Sequence, residues 1–142
     1  MIARLLVTLF GGIWKVKERC LMKNRLFSRF YISLYNYYQF EHGSAVSYSV
    51  KYDGKLIFPK GMKQVVIAKG VVFGTNCRVY QQVTIDKDLQ DESEIVRVPK
   101  IGDNCIIYPG AKIFGNVTIG NNVTIGANAV VESDVADNAI VK

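Results

Sequence analysis

This 142-residue chain is poor in ready-made polar chemistry: it has one histidine, three cysteines, and no cluster of His, Cys or carboxylates at metal-ligand spacing. An odd number of cysteines argues against a disulfide framework. Cys77 and Cys105 fall on inward positions of the pattern described next, so they read as small core residues in a reducing compartment. No apolar run is long enough to cross a bilayer. The longest candidate, residues 5–14, is broken by Gly11 and Gly12. Lys15, Val16, Lys17 and Glu18 follow where a cleaved leader would carry small residues. The expectation is a cytoplasmic chain with one modest core.

What the chain does have is a repeat. Ile101, Ile107, Ile113, Ile119, Ile125 and Val131 recur every sixth residue, and Cys105, Ala111, Val117, Val123, Ala129 and Val135 follow each by four. Between them stand Asn104, Gly110, Asn116, Asn122, Asn128 and Asp134, residue types that tolerate a left-handed backbone or tight turn. A register of six fits neither a helix nor a hairpin strand, so the repeat itself is the structural unit. It reads as a coil that turns a corner every six residues, with the β-branched position pointing inward.

The same register starts at Val46, Tyr52 and Phe58, slips by three residues across Lys63, Gln64 and Val65, and resumes through Ile67, Phe73, Val79 and Ile85. A slip is a local bulge, and bulges re-aim side chains beside functional sites. Residues 86–100 break the pattern again with Asp86, Asp88, Asp91, Glu92 and Glu94, an excursion that reads as either a functional flap or a disordered insert projecting outward. Three sides per turn give roughly four turns and a column about 19 Å long. Its open ends and slender body call for oligomerisation.

Residues 1–45 form a separate helical segment ahead of the coil at 46–142. Leu26, Phe27, Phe30, Tyr31, Leu34, Tyr35 and Tyr38 recur at helical spacing and give one apolar, aromatic face. Arg4, Lys15, Lys17, Arg19, Lys23, Arg25 and Arg29 stand against Glu18 and Glu41, so most of the +6 net charge lies here. One reading is a pair of helices that cap the coil and pack on a neighbouring subunit. Another is a peripheral contact of residues 1–40 with anionic lipid at the inner face of the membrane. Nucleic acid is a third, but no nucleic-acid motif accompanies the charges. His42, in Glu41-His42-Gly43, reads as a helix-capping or surface residue.

The phrases Val83-Thr84-Ile85, Pro99-Lys100-Ile101-Gly102-Asp103-Asn104, Gly110-Ala111-Lys112-Ile113 and Ile125-Gly126-Ala127-Asn128-Ala129 resemble the hexapeptide-repeat acyltransferases. Within them the likeness is to the serine O-acetyltransferase branch and its relatives in polysaccharide modification, over about residues 40–142. The resemblance implies a mainly β fold, a left-handed parallel β-helix, against the general right-handed rule for parallel crossovers. It also implies a homotrimer that binds acetyl-CoA between adjacent prisms, and an acetyl group passing to a hydroxyl of a sugar, glycan precursor or serine-like acceptor.

In that branch a histidine beside the register slip acts as general base. The matching phrase here is Phe58-Pro59-Lys60-Gly61, with Lys60 in the histidine's place, and Val98 stands where serine acetyltransferases carry a second histidine. A lysine serving as base needs its pKa brought from about 10.4 to about 7.5, roughly 4 kcal/mol. Kept charged, Lys60 would stabilise the oxyanion and leave the proton to water or to Asp86. For the cofactor the resemblance implies Thr84, Tyr108, Pro109, Gly110, Ala111, Gly126 and Ala127, small residues along which a pantetheine arm lies, although prism corners need Gly and Ala in any case. No metal is implied. The alternative to an enzyme is a catalytically silent trimeric scaffold that binds a partner or membrane surface.

Overall fold

The computed structural model describes residues 2–88 and 97–142, and the chain divides into two compact units, Met1–Ser44 and Ala45–Lys142. The first holds three helices where a pair was expected: α1 (Ile2–Leu9), α2 (Ile13–Cys20) and α3 (Arg25–Glu41). Gly11 and Gly12, at φ +88° and +94°, separate the first two, a backbone region that L side chains avoid. Asn24 caps α3, its Oδ1 accepting from the N–H groups of Leu26 (3.1 Å) and Phe27 (3.5 Å). The small core consists of Ala3, Val7, Val16, Cys20, Leu34 and Tyr35.

The aromatic face expected of α3 is split in two. Leu34 and Tyr35 are buried, and Tyr31 and Tyr38 half-buried, but Leu26, Phe27 and Phe30 are exposed. The physical reason is the wheel: residues 26 and 30 lie roughly 80° and 40° from residue 34, and residues 35 and 38 lie on its other side. A three-helix unit this small covers only half of so broad a stripe. His42 forms the C-cap of α3, with Nδ1 2.7 Å from the Tyr38 carbonyl and its ring stacked on Tyr38 at 4.1 Å.

The second unit is a coil of short parallel strands. Its first turn is β1 (Ala45–Val46), β2 (Lys51–Tyr52) and β3 (Leu56–Ile57), and its second β4 (Val66–Ile67), β5 (Val72–Phe73) and β6 (Cys77–Val79). The third is β7 (Thr84–Asp86), β8 (Lys100–Ile101) and β9 (Ile106–Ile107), and the fourth β10 (Lys112–Phe114), β11 (Thr118–Ile119) and β12 (Thr124–Ile125). β13 (Val130–Val131) and β14 (Ile140–Val141) close a fifth, one more than the repeat count indicated. Stacking yields three faces: β1-β4-β7-β10-β13, then β2-β5-β8-β11, then β3-β6-β9-β12-β14. Five strands make four steps of about 4.8 Å, which keeps the column near 19 Å.

Both inward columns of the repeat are core. Ile101, Ile107, Ile113, Ile119, Ile125 and Val131 are all buried, as are Cys105, Ala111, Val117, Val123 and Ala129. The corner between the second and third faces is held by a ladder of asparagines in the left-handed region: Asn76 donates to Asn104 (3.1 Å), Asn104 to Asn122 (3.3 Å) and Asn122 to Asn138 (3.1 Å). Beside it, Asp103 accepts from the Thr75 N–H, Asn121 from Asp103 and Asp137 from Asn121, at 2.7–2.8 Å. Gly102 is glycine because a Cβ there would stand 2.7 Å from the Gly120 carbonyl oxygen of the next turn.

Three sequence expectations need correction. The last turn is two residues short: Val135 pairs with Ile119, the inward β-branched slot, Asp134 does not take the left-handed backbone expected of it, and Asn138 takes the corner above Asn122 two residues before the period would place it. Asp134 instead accepts from the Thr118 N–H at 2.7 Å. At the corner after β10, which is three residues long where most strands of this coil are two, Gly115 (φ +87°) carries the bend expected of Asn116. Finally, the register slip lies earlier than Lys63, Gln64 and Val65. Those three already pair in phase with the next turn, since the Gln82 N–H donates to the Lys63 carbonyl (3.0 Å) and Gln82 Nε2 to Gln64 Oε1 (3.0 Å). The three extra residues fall within Pro59-Lys60-Gly61-Met62.

Candidate functional site

The edge where the third face returns to the first gathers most of the expected site. Lys60 sits at the tip of the bulge, in a turn closed by the Gly61 N–H on the Phe58 carbonyl (3.0 Å) with Gly61 at φ +74°. Its side chain is exposed. Tyr108, Pro109, Gly110 and Ala111 form the same corner between β9 and β10, and Gly126 and Ala127 the corner one turn on, since β9 pairs with β12. Thr84 opens β7 directly after this edge, its N–H donating to the Ala111 carbonyl (3.0 Å). Lys60, Thr84 and the six cofactor candidates therefore share one edge.

These residues do not offer equal access. Ala111 is fully buried at an inward position and Gly110 is buried as well. The N–H groups of Tyr108, Gly110 and Gly126 donate to Ile125, Gln81 and Val141. What this edge presents outward is the Tyr108 ring, 39 % exposed and stacked on Tyr80 at 5.4 Å, together with Ala127 and half-buried Pro109. Gly126 has a packing reason of its own, since a Cβ would meet the Val141 carbonyl oxygen at 2.9 Å, and a Cβ on Gly110 would run into the Asn128 side chain. Gln81, which the sequence reading passed over, belongs here too: its Oε1 is buried without a hydrogen-bond partner. An orphan acceptor of this kind costs about 1–3 kcal/mol until a donor arrives. Its only signal in the sequence is the polar pair Gln81-Gln82 at a corner that the later turns fill with Pro-Gly and Ala-Asn.

Asp86 lies elsewhere. It ends β7 at the opposite edge of the first face, little more than one turn along the axis from the Lys60 bulge, about 6 Å, and a full strand away across the face. Its Oδ1 accepts from the Lys87 N–H at 2.7 Å. One chain does not bring Lys60 and Asp86 together. From this second edge the 86–100 insert departs: neighbouring turns are 28 residues apart here against 18 elsewhere in the middle of the coil. Asp91, Glu92 and Glu94 lie outside the described residues.

The roots of the insert form two adjoining recesses. One, of about 410 Å³, is lined by Lys69, Gly70, Arg97, Val98, Lys100 and Asn116. The other, of about 370 Å³, is lined by Asp88, Phe114, Gly115, Asn116, Val117 and Glu132. Three cations face one and two acids the other, with Asn116 between. Arg97 and Lys69 were not singled out by the repeat pattern, because their charges mean something only once adjacent turns are stacked. Among the described residues no group of three His, Cys, Asp or Glu could hold a metal ion.

Residues 99–133 match the bacterial transferase hexapeptide family, six repeats. Ala45–Lys142 thus shares its fold, a left-handed parallel β-helix within a mainly β chain, with hexapeptide-repeat proteins, and its likeness runs to the serine acetyltransferase branch. A serine acetyltransferase of Staphylococcus aureus (strain Mu50 / ATCC 700699) is 33% identical over 88 residues, 62% of this chain and 40% of the relative. Serine acetyltransferase isoform 3 of Entamoeba histolytica, solved in complex with cysteine, superposes with a TM-score of 0.74 at 28% identity, covering 91% of this chain and 45% of that one. A serine acetyltransferase in complex with CoA shares the fold at a TM-score of 0.73 and 22% identity, over 90% of this chain and 52% of that one. The chain spans about 40% of the length of the curated relative it matches.

Proposed function

We propose that this chain is an acetyl-CoA-dependent O-acetyltransferase working as a homotrimer. The reading is carried by one observation: the register bulge that presents Lys60 stands on the same edge as the Tyr108–Ala127 surface, on a coil similar to serine acetyltransferases, one of which binds CoA. The acceptor hydroxyl oxygen attacks the thioester carbonyl, the C–S bond breaks, and the hydroxyl proton ends on the CoA thiol. Lys60 stabilises the oxyanion of the tetrahedral intermediate as a point charge. Because Asp86 and the insert roots leave from the other edge, a complete site takes Lys60, Thr84 and Tyr108 from one protomer and Asp86, Arg97 and Lys100 from its neighbour.

The paired recesses favour one acceptor class. Three cations beside two acids suit a carboxylate and an ammonium on one small molecule, which a serine-like acceptor has and a neutral sugar lacks. Calorimetry with CoA and an acetyl-transfer assay on serine and on neutral sugars test the reading. The expected result is CoA binding and turnover with serine, and a KM for serine raised about 10-fold or more by Arg97→Ala. Absence of both binding and turnover would discard it.

A second reading rests on Lys60 itself, an exposed lysine where the resemblance calls for histidine. In it the chain is a trimeric scaffold without turnover. Lys60→His creating activity from none, with CoA binding unchanged, would decide for the scaffold.

A further inference from the structure

Helix α3 has two apolar sides. Leu34, Tyr35 and Gln39 face the core of the helical unit, while Leu26, Phe30, Tyr37 and Phe40 form a stripe on the outside at spacings of four, seven and three. Leu26 is 78 % exposed and Phe40 80 %. Helix α1 repeats this: Ala3 and Val7 are buried, and Ile2, Leu5 and Leu9 are exposed on another side. An open recess of about 400 Å³ lies among Phe10, Leu26, Phe27, Phe30 and Tyr31. Around these stripes Arg4, Lys15, Lys23, Arg25 and Arg29 are all exposed. Water does not stabilise apolar area of this extent, so something covers it.

We propose that Met1–Ser44 rests on an anionic lipid surface, its outward apolar stripes in the headgroup layer and its cations on lipid phosphates. Charge complementarity selects this occupant. The unit has seven Lys and Arg against two acids, so a second copy would bring the same positive sign, whereas an acidic bilayer brings the opposite one. Apolar stripes rimmed by Lys and Arg are the pattern of helices that lie in the interface plane. In this proposal the unit lies on the membrane without crossing it, and among the described residues no helix is long and apolar enough to span. The inference is independent of acetyl transfer.

Vesicle sedimentation of the full chain tests it, with phosphatidylcholine alone and with about 30% phosphatidylglycerol added. The expected result is binding to the acidic vesicles only, weakening as salt rises. Arg25→Gln with Arg29→Gln should lower affinity about 25-fold, and Phe40→Ser about 10-fold. Lys55→Gln, an exposed coil residue, should leave it unchanged. Arg25 and Arg29 are exposed, so the charge pair decides the matter even where Phe40→Ser perturbs folding. Equal binding to both vesicle types, binding to neither, or a Lys55→Gln loss as large as that of the arginine pair overturns the proposal. So does a Phe40→Ser variant that loses an oligomer while sedimenting with vesicles as before, because a second copy then covers the stripe.

Discussion

The two units of this chain solve the problem of apolar surface in opposite ways. In Ala45–Lys142 the inward slots of the middle turns are filled by Ile, Val, Ala, Cys, Phe73 and Pro99, and only Val72, Tyr108, Val130 and Ile140 are large apolar residues left exposed among the described ones. Met1–Ser44, less than half that length, exposes ten among its described residues, from Ile2 to Phe40. The coil can be complete because each turn is the floor of the next, and neighbours six and eighteen residues apart bury one another. Three short helices have no such neighbour, and each can turn only one side inward. A surface that is closed by its own repeat is architecture, and a surface left open beside five exposed cations is a place where the chain meets something else.

Core truncation should separate the units most sharply. Ile107 is fully buried, and Ile107→Ala should cost about 2–5 kcal/mol in urea unfolding followed by far-UV circular dichroism. Leu26→Ala, on the outer stripe of α3, should change stability by no more than about 0.5 kcal/mol. Similar costs at the two sites would erase the contrast. Next in size is the close stacking of turns. Gly102→Ala places a Cβ 2.7 Å from the Gly120 carbonyl oxygen, backbone that cannot swing aside, and should cost about 1–3 kcal/mol. A neutral Gly102→Ala would mean that the turns slide apart more freely than their hydrogen bonds indicate.

The coil was legible in the sequence because its constraint is local and periodic. One turn dictates the next, so Ile101 through Val131 announce both core columns and most corners. The exceptions, Asn116, Asp134 and Val135, occur where a strand lengthens or a turn loses two residues, changes invisible until the partner turn is in place. The bulge was legible as a count of three extra residues, yet not as Pro59-Lys60-Gly61-Met62, because either placement restores the period. The site was legible in part for the same reason: Tyr108–Ala111 and Gly126-Ala127 fall on one edge by period alone, whereas the recess of Lys69, Arg97 and Lys100 joins residues from three turns. In the helices, spacing identified α3 but not which half of its apolar stripe would be covered, since that depends on packing against α1 and α2.

The asparagine ladder provides a finer test of the periodic unit. Asn122 has φ +56° and both gives and receives a side-chain hydrogen bond between turns. Asn122→Ala loses the ladder and holds a Cβ in the left-handed region, for about 1–2 kcal/mol. Asn122→Gly loses only the ladder, for about 0.5–1 kcal/mol. If the two variants cost the same, the hydrogen bonds and not the backbone set the cost of that corner.

The smallest effect is a pH slope, and it can be assigned to the helical unit because Trp14, the only tryptophan, lies there. Burial pushes the Cys20 thiol from 9.0 up to about 11, although Lys17 beside it pulls the other way. A raised thiol pKa adds stability that is complete below pH 9 and disappears as pH climbs toward 11, where the folded state would have to bury a thiolate. Lys17, whose pKa burial lowers from 10.5, has the opposite slope: folding becomes easier as pH rises toward 10.5, because less charge is then lost from water. The wild-type curve is the difference of the two, so the informative quantity is the change on Cys20→Ala. Melting followed by Trp14 fluorescence should fall less steeply between pH 9 and 11 in that variant than in the parent. In the coil, Cys77 is also held above the ordinary thiol range, first by the adjacent Cys105 thiol and then by burial, so circular dichroism of the strands should keep its alkaline slope in the same variant. Parallel Trp14 curves for parent and variant would show that the thiol is not kept neutral by its surroundings, and the helical core would then be looser than the burial of Val16, Cys20 and Tyr35 implies.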